Sequence, residues 1–240
     1  WMDARRDGIV FTPRHGKPVE LSALWYSGVT GLAAALQRFE SSRAGQLEQM
    51  AKRTAQHFRV MFWNAARSCL HDVLEPGPNS TWKPNAQLRP NQIFATSLPR
   101  SALDPGQQKA VVKAVRENLW TPQGLRTLEP RDPAYKGRYR GPMRERDAAY
   151  HNGTAWPWLV GPLAEALMRS ESFSPRSRSD ARGLLAPLIE QLDGPCLGQL
   201  FEVYDGDGTD ADPARPGGCP AQAWSVAETL RVLLLSHAQS

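Results

Sequence analysis

The sequence predicts an all-α fold. Three observations lead there. Apolar residues recur at helical spacing in long stretches from end to end of the chain. Alternating apolar and polar residues, the mark of half-buried strands, hardly occur beyond short pieces such as Gly8 to Thr12. The connections between the helical stretches are long and rich in Pro, Gly and charge.

Val19 to Phe39 sets Leu21, Leu24, Trp25, Val29, Leu32, Ala33 and Leu36 on one face, with Pro18 at the entry. Gly28 and Gly31 weaken this helix without ending it. Gln46 to Phe62 forms a second, with Leu47, Met50, Ala51, Thr54, Phe58 and Met61 on its face. Pro90 to Leu98 is short and apolar. Asp104 and Pro105 have the chemistry of an N-cap and a first helical residue, and open a helix to about Leu119. Thr154 to Met168, Ser179 to Leu192 and Ala221 to Leu235 complete the series.

Three connections stand out: Glu75 to Leu88, Pro130 to Arg146 and Asp205 to Gly218. Structureless loops of this length are uncommon in compact domains and are often functional.

Composition narrows the function. The chain has 240 residues, 41% hydrophobic and 22% charged, which suits a globular protein. No apolar run is read as membrane-spanning, so no membrane partner is expected. The net charge of +5 could suit nucleic acid, but the basic residues scatter. The densest groups are Arg138, Arg140, Arg144 and Arg146, and Arg176, Arg178 and Arg182. Nucleic acid is therefore not an expected partner. Cys69, Cys196 and Cys219 are few and form no CxxC pair, which suits a reducing, cytoplasmic compartment.

No cofactor or metal is expected. The chain contains no GxGxxG, Walker loop, HxxxH pair or GxSxG elbow. Asp205, Asp207, Asp210 and Asp212 begin like a calcium loop. The sixth position is Asp210 rather than Gly and the twelfth is Pro216 rather than Glu, so a solvated, mobile turn is expected.

The aromatic residues point elsewhere. Eight Trp in one chain of this size is a high share, and most sit beside polar residues at element ends. Packing alone accounts for many such rings. In HNGTAWPW (151–158), RPNQ (89–92) and AQAW (221–224), however, Trp or a helix start lies beside Asn, Gln, Arg or His. Flat apolar platforms with many hydrogen-bonding groups suit a neutral polyhydroxyl ligand. Glycosidic hydrolysis also needs two carboxylates, one protonated to release the leaving oxygen and one ionised. By composition alone, Glu202 in QLFEVYDGDG reads as a surface acid, and Asp3 is weaker still.

Longer motifs decide between these readings. YHNGTAWPWLVGP, LRPNQIFATSLP, TPQGLRTLEPRDPAYKGRY and GCPAQAWSVAETLRV stand in one order, after WMDA and TPRHGKPVELSALWY. Together they resemble the amylo-alpha-1,6-glucosidase region of glycogen debranching enzymes, over nearly the whole chain. The resemblance implies an (α/α)6 barrel, a six-hairpin toroid with its site built from loops at one end. It implies exo hydrolysis of α-1,6-linked glucose from branch stubs of a glycogen-type α-glucan, with inversion.

By position, the resemblance makes Asp3 the general acid and Glu202 the general base. It assigns sugar contacts to Glu20, Trp25, Arg89, Asn91, Gln92, His151, Asn152, Trp156, Trp158, Gln222 and Trp224. Trp156 or Trp158 would stack on glucose, and His151 and Asn152 would bind hydroxyls. Asn152 stands where many relatives carry Gln, a side chain one methylene longer.

Six or seven helices are fewer than a closed toroid holds. Residues 1–240 are therefore expected to be the C-terminal portion of one catalytic domain, with barrel helices and a β domain upstream as its partner. Helices such as Leu21 to Leu36 and Thr154 to Met168 would then have bare apolar faces. Other readings are a glucoamylase-like or trehalase-like hydrolase, or an inactive carbohydrate-binding fragment.

Overall fold

The computed structural model describes residues 1–238. Among the described residues, eight α-helices carry the fold: α1 Val19–Leu36, α2 Ser41–Phe62, α3 Phe94–Ser97, α4 Pro105–Leu119, α5 Met143–Ala149, α6 Val160–Ser170, α7 Pro175–Glu190 and α8 Ala223–His237. Small antiparallel sheets tie the loops together, so the chain is mostly helical rather than all-α.

Local chemistry sets several helix ends. Asp104 accepts from the Gln107 N–H at 2.8 Å, Gln107 accepts from the Asp104 N–H at 3.3 Å, and Pro105 follows the cap. Ser174 caps α7 through the Ser177 N–H at 3.2 Å, again ahead of a proline. The helix expected from Ser179 therefore starts earlier, at Pro175.

The helix expected from Thr154 does not start there. Ala155 and Trp156 are extended and pair with Arg126 and Leu125, and Ala155 also pairs with Tyr204. Pro157 follows, opens a 3-10 turn to Leu159, and α6 begins only at Val160. A residue before proline is disfavoured in α conformation, which keeps Trp156 in the strand. The sheet thus formed has five short strands in the order Pro216–Gly217, Val203–Tyr204, Ala155–Trp156, Gly124–Arg126, Trp120–Thr121. It draws three distant loops to one place. The connections read as loops also contain α5 and a hairpin of Val73–Pro76 with Trp82–Asn85. Trp82, in that hairpin, lies under the Lys17 ammonium at 4.0 Å.

Helix α6 is the centre of the core and packs against α3, α4, α7 and α8. Leu163, Ala164, Ala166 and Met168 are fully buried, so the expectation that this helix would have a bare face is wrong. Its Glu165 is buried too and pairs with Arg169 at 2.6 Å and with Arg231 of α8 at 2.8 Å. Gly161 lets α8 approach closely, since a side chain there would meet Glu228.

Helix α1 differs. It packs on α2 and α3, and Val19, Ala23, Val29 and Ala33 are its buried apolar residues. Leu21, Leu24, Trp25 and Leu32 of the expected apolar face are exposed, as are Leu230 and Leu234 of α8. By length and composition α1 could cross a membrane, with a mean hydropathy of 1.2 over 18 residues, contrary to the expectation of no such segment. Its Glu20, however, is buried in an ion pair with Arg14.

Candidate active site

The five-stranded sheet brings the aromatic motif against the chain start. Trp1 packs edge-on against His151, Trp156 and Trp158, each with ring centroids 5.2 Å away. The Asn91 side chain accepts from the Trp1 indole N–H at 2.8 Å. Trp1 and the buried Met2 are thereby fixed, and Asp3 emerges from them exposed to water.

Glu202 lies just ahead of the strand Val203–Tyr204 and is half-buried. Its Oε1 accepts from the Tyr150 hydroxyl at 2.7 Å and from Gln222 Nε2 at 3.1 Å. Its Oε2 accepts from the Cys219 backbone N–H at 2.8 Å. An ionised carboxylate only accepts, and it has room for all three donors. A side chain on Gly218 would run into Oε2, and Gly218 has a φ of +67°, so glycine is required there twice over. The Tyr150 hydroxyl is pushed well above the usual phenol range. Burial is the first cause, the Glu202 hydrogen bond the next, and the charges of Glu202, Tyr139 and Asp3 add to it.

Of the tryptophans in the expected site, Trp156 is 2% exposed and Trp158 9%, while Trp224 is 36% exposed. Trp156 stacks on His151, and Trp158 stacks on Trp224. Of these three rings, Trp224 is the one partly open to water. His151 is 1% exposed, and neither of its ring nitrogens has a partner among the described residues. Burial is the first cause, and the positive charges of Arg89 and Arg14 add to it; together they push its pKa well down, so it stays neutral.

Several residues expected to contact sugar have protein partners in the fold. Asn152 accepts from Arg89 at 2.9 Å and donates to the Phe11 and Ala148 carbonyls at 3.1 and 3.0 Å. Arg89 is buried and also donates to the Thr127 carbonyl at 3.1 Å. Asn91 donates to Asp72, and Gln92 accepts from the Leu70 N–H at 3.0 Å. Both Glu20 oxygens are taken by Arg14, each at 2.6 Å, and Arg14 also donates to Asp72 at 2.7 Å. Burial alone would lower the Arg14 pKa, but Glu20 and Asp72 raise it, so its guanidinium stays charged. These residues build the wall behind Trp1 and His151. Gln222 donates to Glu202 rather than facing an open subsite.

Trp25 is elsewhere. It is 57% exposed and lines a groove of about 520 Å³ between α1 and α2 with Leu21, Phe58 and Met61. Neither Asp3 nor Glu202 borders that groove, so its size does not make it the reaction site.

The loop from Asp205 is tethered, not loose. Asp205 is buried and accepts from the Tyr139 N–H at 2.6 Å and from Arg140 at 2.6 and 2.9 Å. Arg138 and Arg140 also pair with Asp212, so the basic group 138–140 is structural. Among the described residues no cluster of three or more His, Cys, Asp or Glu could hold a metal ion. Sequence reasoning assigned no role to Tyr150, and it read Asp205 as part of a solvated turn rather than as a buried anchor. The signal for Tyr150 was its place at the head of YHNGTAWPW.

The sequence pattern of the amylo-alpha-1,6-glucosidase family matches residues 1–231. The chain belongs to the amylo-alpha-1,6-glucosidase family. The glycogen debranching enzyme of Saccharomyces cerevisiae is 29% identical to it over 160 residues, covering 59% of this chain and 10% of that protein. Two solved hydrolases share the fold. The GH63 mannosylglycerate hydrolase of Thermus thermophilus superimposes with a TM-score of 0.58 at 15% identity, over 91% of this chain and 45% of its own. The neutral trehalase of Saccharomyces cerevisiae gives 0.62 at 14% identity, over 92% of this chain and 38% of its own. The chain thus spans less than half the length of each relative.

Proposed function

We propose that this chain supplies both carboxylates for exo hydrolysis of α-1,6-linked glucose at the branch stubs of a glycogen-type α-glucan, with inversion. Glu202 is the general base and Asp3 the general acid. The observation that carries this reading is Glu202 itself: a carboxylate under three donors, beside the aromatic wall from which Asp3 emerges. Protonation of the glycosidic oxygen by Asp3 lets the bond break toward an oxocarbenium-like state. Glu202 takes a proton from water on the opposite face of the sugar. Trp224 offers its ring to the sugar's C–H face.

The finer fold we assign is the C-terminal part of an (α/α)6 toroid. The exposed apolar rows on α1 and α8 and the partial coverage of both solved hydrolases support it. Full activity then needs the remainder of the polypeptide.

The test is glucose release from a limit dextrin by the intact polypeptide that carries this chain, with the anomer of the product read by NMR. Glu202→Gln and Asp3→Asn should each remove turnover while glucan still binds. Wild-type-like release by Glu202→Gln would overturn the assignment of the base, and retention of anomeric configuration would overturn inversion.

A further inference from the structure

Glu202 cannot orient itself. Its side chain has several rotatable bonds, and a base must present one lone pair to one water in a fixed direction. The two groups of Oε1 donors differ in kind. Gln222 reaches it from the start of α8 at 3.1 Å, through a flexible amide. Tyr150 reaches it at 2.7 Å from a ring that cannot swing.

That ring is held on several sides. Tyr139 lies 5.4 Å away, His151 4.7 Å and Trp156 5.0 Å, between ring centroids. The Tyr150 carbonyl accepts from the Thr154 hydroxyl at 2.6 Å and the Trp156 indole N–H at 3.1 Å. Tyr139 is anchored in turn, since its backbone N–H donates to the buried Asp205 carboxylate. Asp205 lies three residues beyond Glu202 along the same strand and turn, so the support returns to the segment it serves.

We infer that Tyr150 is a positioning residue for the general base: its hydroxyl locks Oε1 of Glu202 and leaves Oε2, with one backbone donor, to meet the water. The inference rests on the reading of Glu202 as base. Tyr150 acts only through Glu202 and touches no reacting atom. A hydrogen bond to an ionised oxygen is among the stronger ones, and its loss both loosens the carboxylate and disfavours its charged form.

The experiment compares Tyr150→Phe, Glu202→Gln and wild type in the intact polypeptide, on a limit dextrin across pH. The phenyl ring keeps the packing against Tyr139, His151 and Trp156. Tyr150→Phe should lower kcat by about 10- to 100-fold with little change in KM. The acid limb of its kcat profile should move to higher pH, because a less favoured carboxylate needs a higher pH to ionise. A lower kcat with an unmoved acid limb, or a KM change alone, would indicate mere packing and overturn the inference. An inactive Glu202→Gln beside a wild-type-like Tyr150→Phe would also overturn it, while leaving the base in place. An active Glu202→Gln would instead bring down the reading on which it rests. Should Tyr150→Phe fold poorly, 3-fluorotyrosine at position 150 keeps the ring and makes the phenol a stronger donor. Its acid limb should then move to lower pH, and no movement would again overturn the inference.

Discussion

Trp158 and Trp224 stack with ring centroids 4.9 Å apart and planes 18° from parallel. One of the two is a core residue and the other is the partly exposed cover of that core. The stack therefore divides packing from binding. Trp156→Ala, behind it, should cost about 3 to 5 kcal/mol in denaturant unfolding, because a fully enclosed ring leaves a cavity. Trp224→Ala should cost far less stability and weaken glucan binding about tenfold by calorimetric titration. Equal losses of stability in the two variants would contradict this division.

Asp205 should prove structural rather than catalytic. It is buried, and its oxygens are taken by the Tyr139 N–H, Arg140 and the Arg215 N–H. Asp205→Ala leaves those donors without a partner and should destabilise the chain by about 2 to 4 kcal/mol, less than a fully buried pair because Arg140 stays partly in water. The same engagement leaves little for calcium to bind. Addition of about 1 mM calcium should leave the melting temperature unchanged, and a clear rise would show a site.

Acid should weaken the fold through His151. The unfolded chain takes up a proton near the usual 6.5, whereas the buried ring does so only well below that. Between those values the unfolded state binds more protons, so stability falls as pH falls, by up to about 1.4 kcal/mol per unit. Melting temperatures at pH 7 and 4.5 should therefore converge in His151→Phe relative to wild type. An identical acid sensitivity in both would place the titrating group elsewhere.

Gly218 should tolerate no side chain. Alanine there would strain a φ of +67° and push against Glu202 Oε2. Gly218→Ala should cut kcat more than ten-fold, roughly the loss of one charge-assisted contact, with the chain still folded by circular dichroism. Normal turnover would show that Glu202 needs no fixed place.

The bare apolar rows make a prediction of their own. Leu230→Gln together with Leu234→Gln should improve the solubility of this chain expressed alone, without lowering its melting temperature, since both side chains already lie in water. In the intact polypeptide the same pair should destabilise by about 2 to 4 kcal/mol if upstream helices cover them. No loss there would mean that α8 is a true outer surface.

The sequence by itself determined the helices with strong local signals. Asp104, Pro105 and Gln107 are a cap wherever they occur, because their bonds close within one turn. The family, too, was legible from long motifs in one order. Local signals failed where partners come from far along the chain. Ala155 and Trp156 read as helix, but Leu125, Arg126 and Tyr204 supply strand bonds that no window around residue 155 contains. The polar residues of RPNQ and HNGT read as sugar contacts because composition marks a group as a donor or acceptor without naming its partner. Only the tertiary structure decided that Arg89 and Asn152 bond each other, that Glu20 belongs to Arg14, and that Trp224 is open to water while Trp156 and Trp158 are not. Burial and pairing are properties of the assembled chain: a buried polar group must find a partner, and which one it finds depends on what the fold brings within reach.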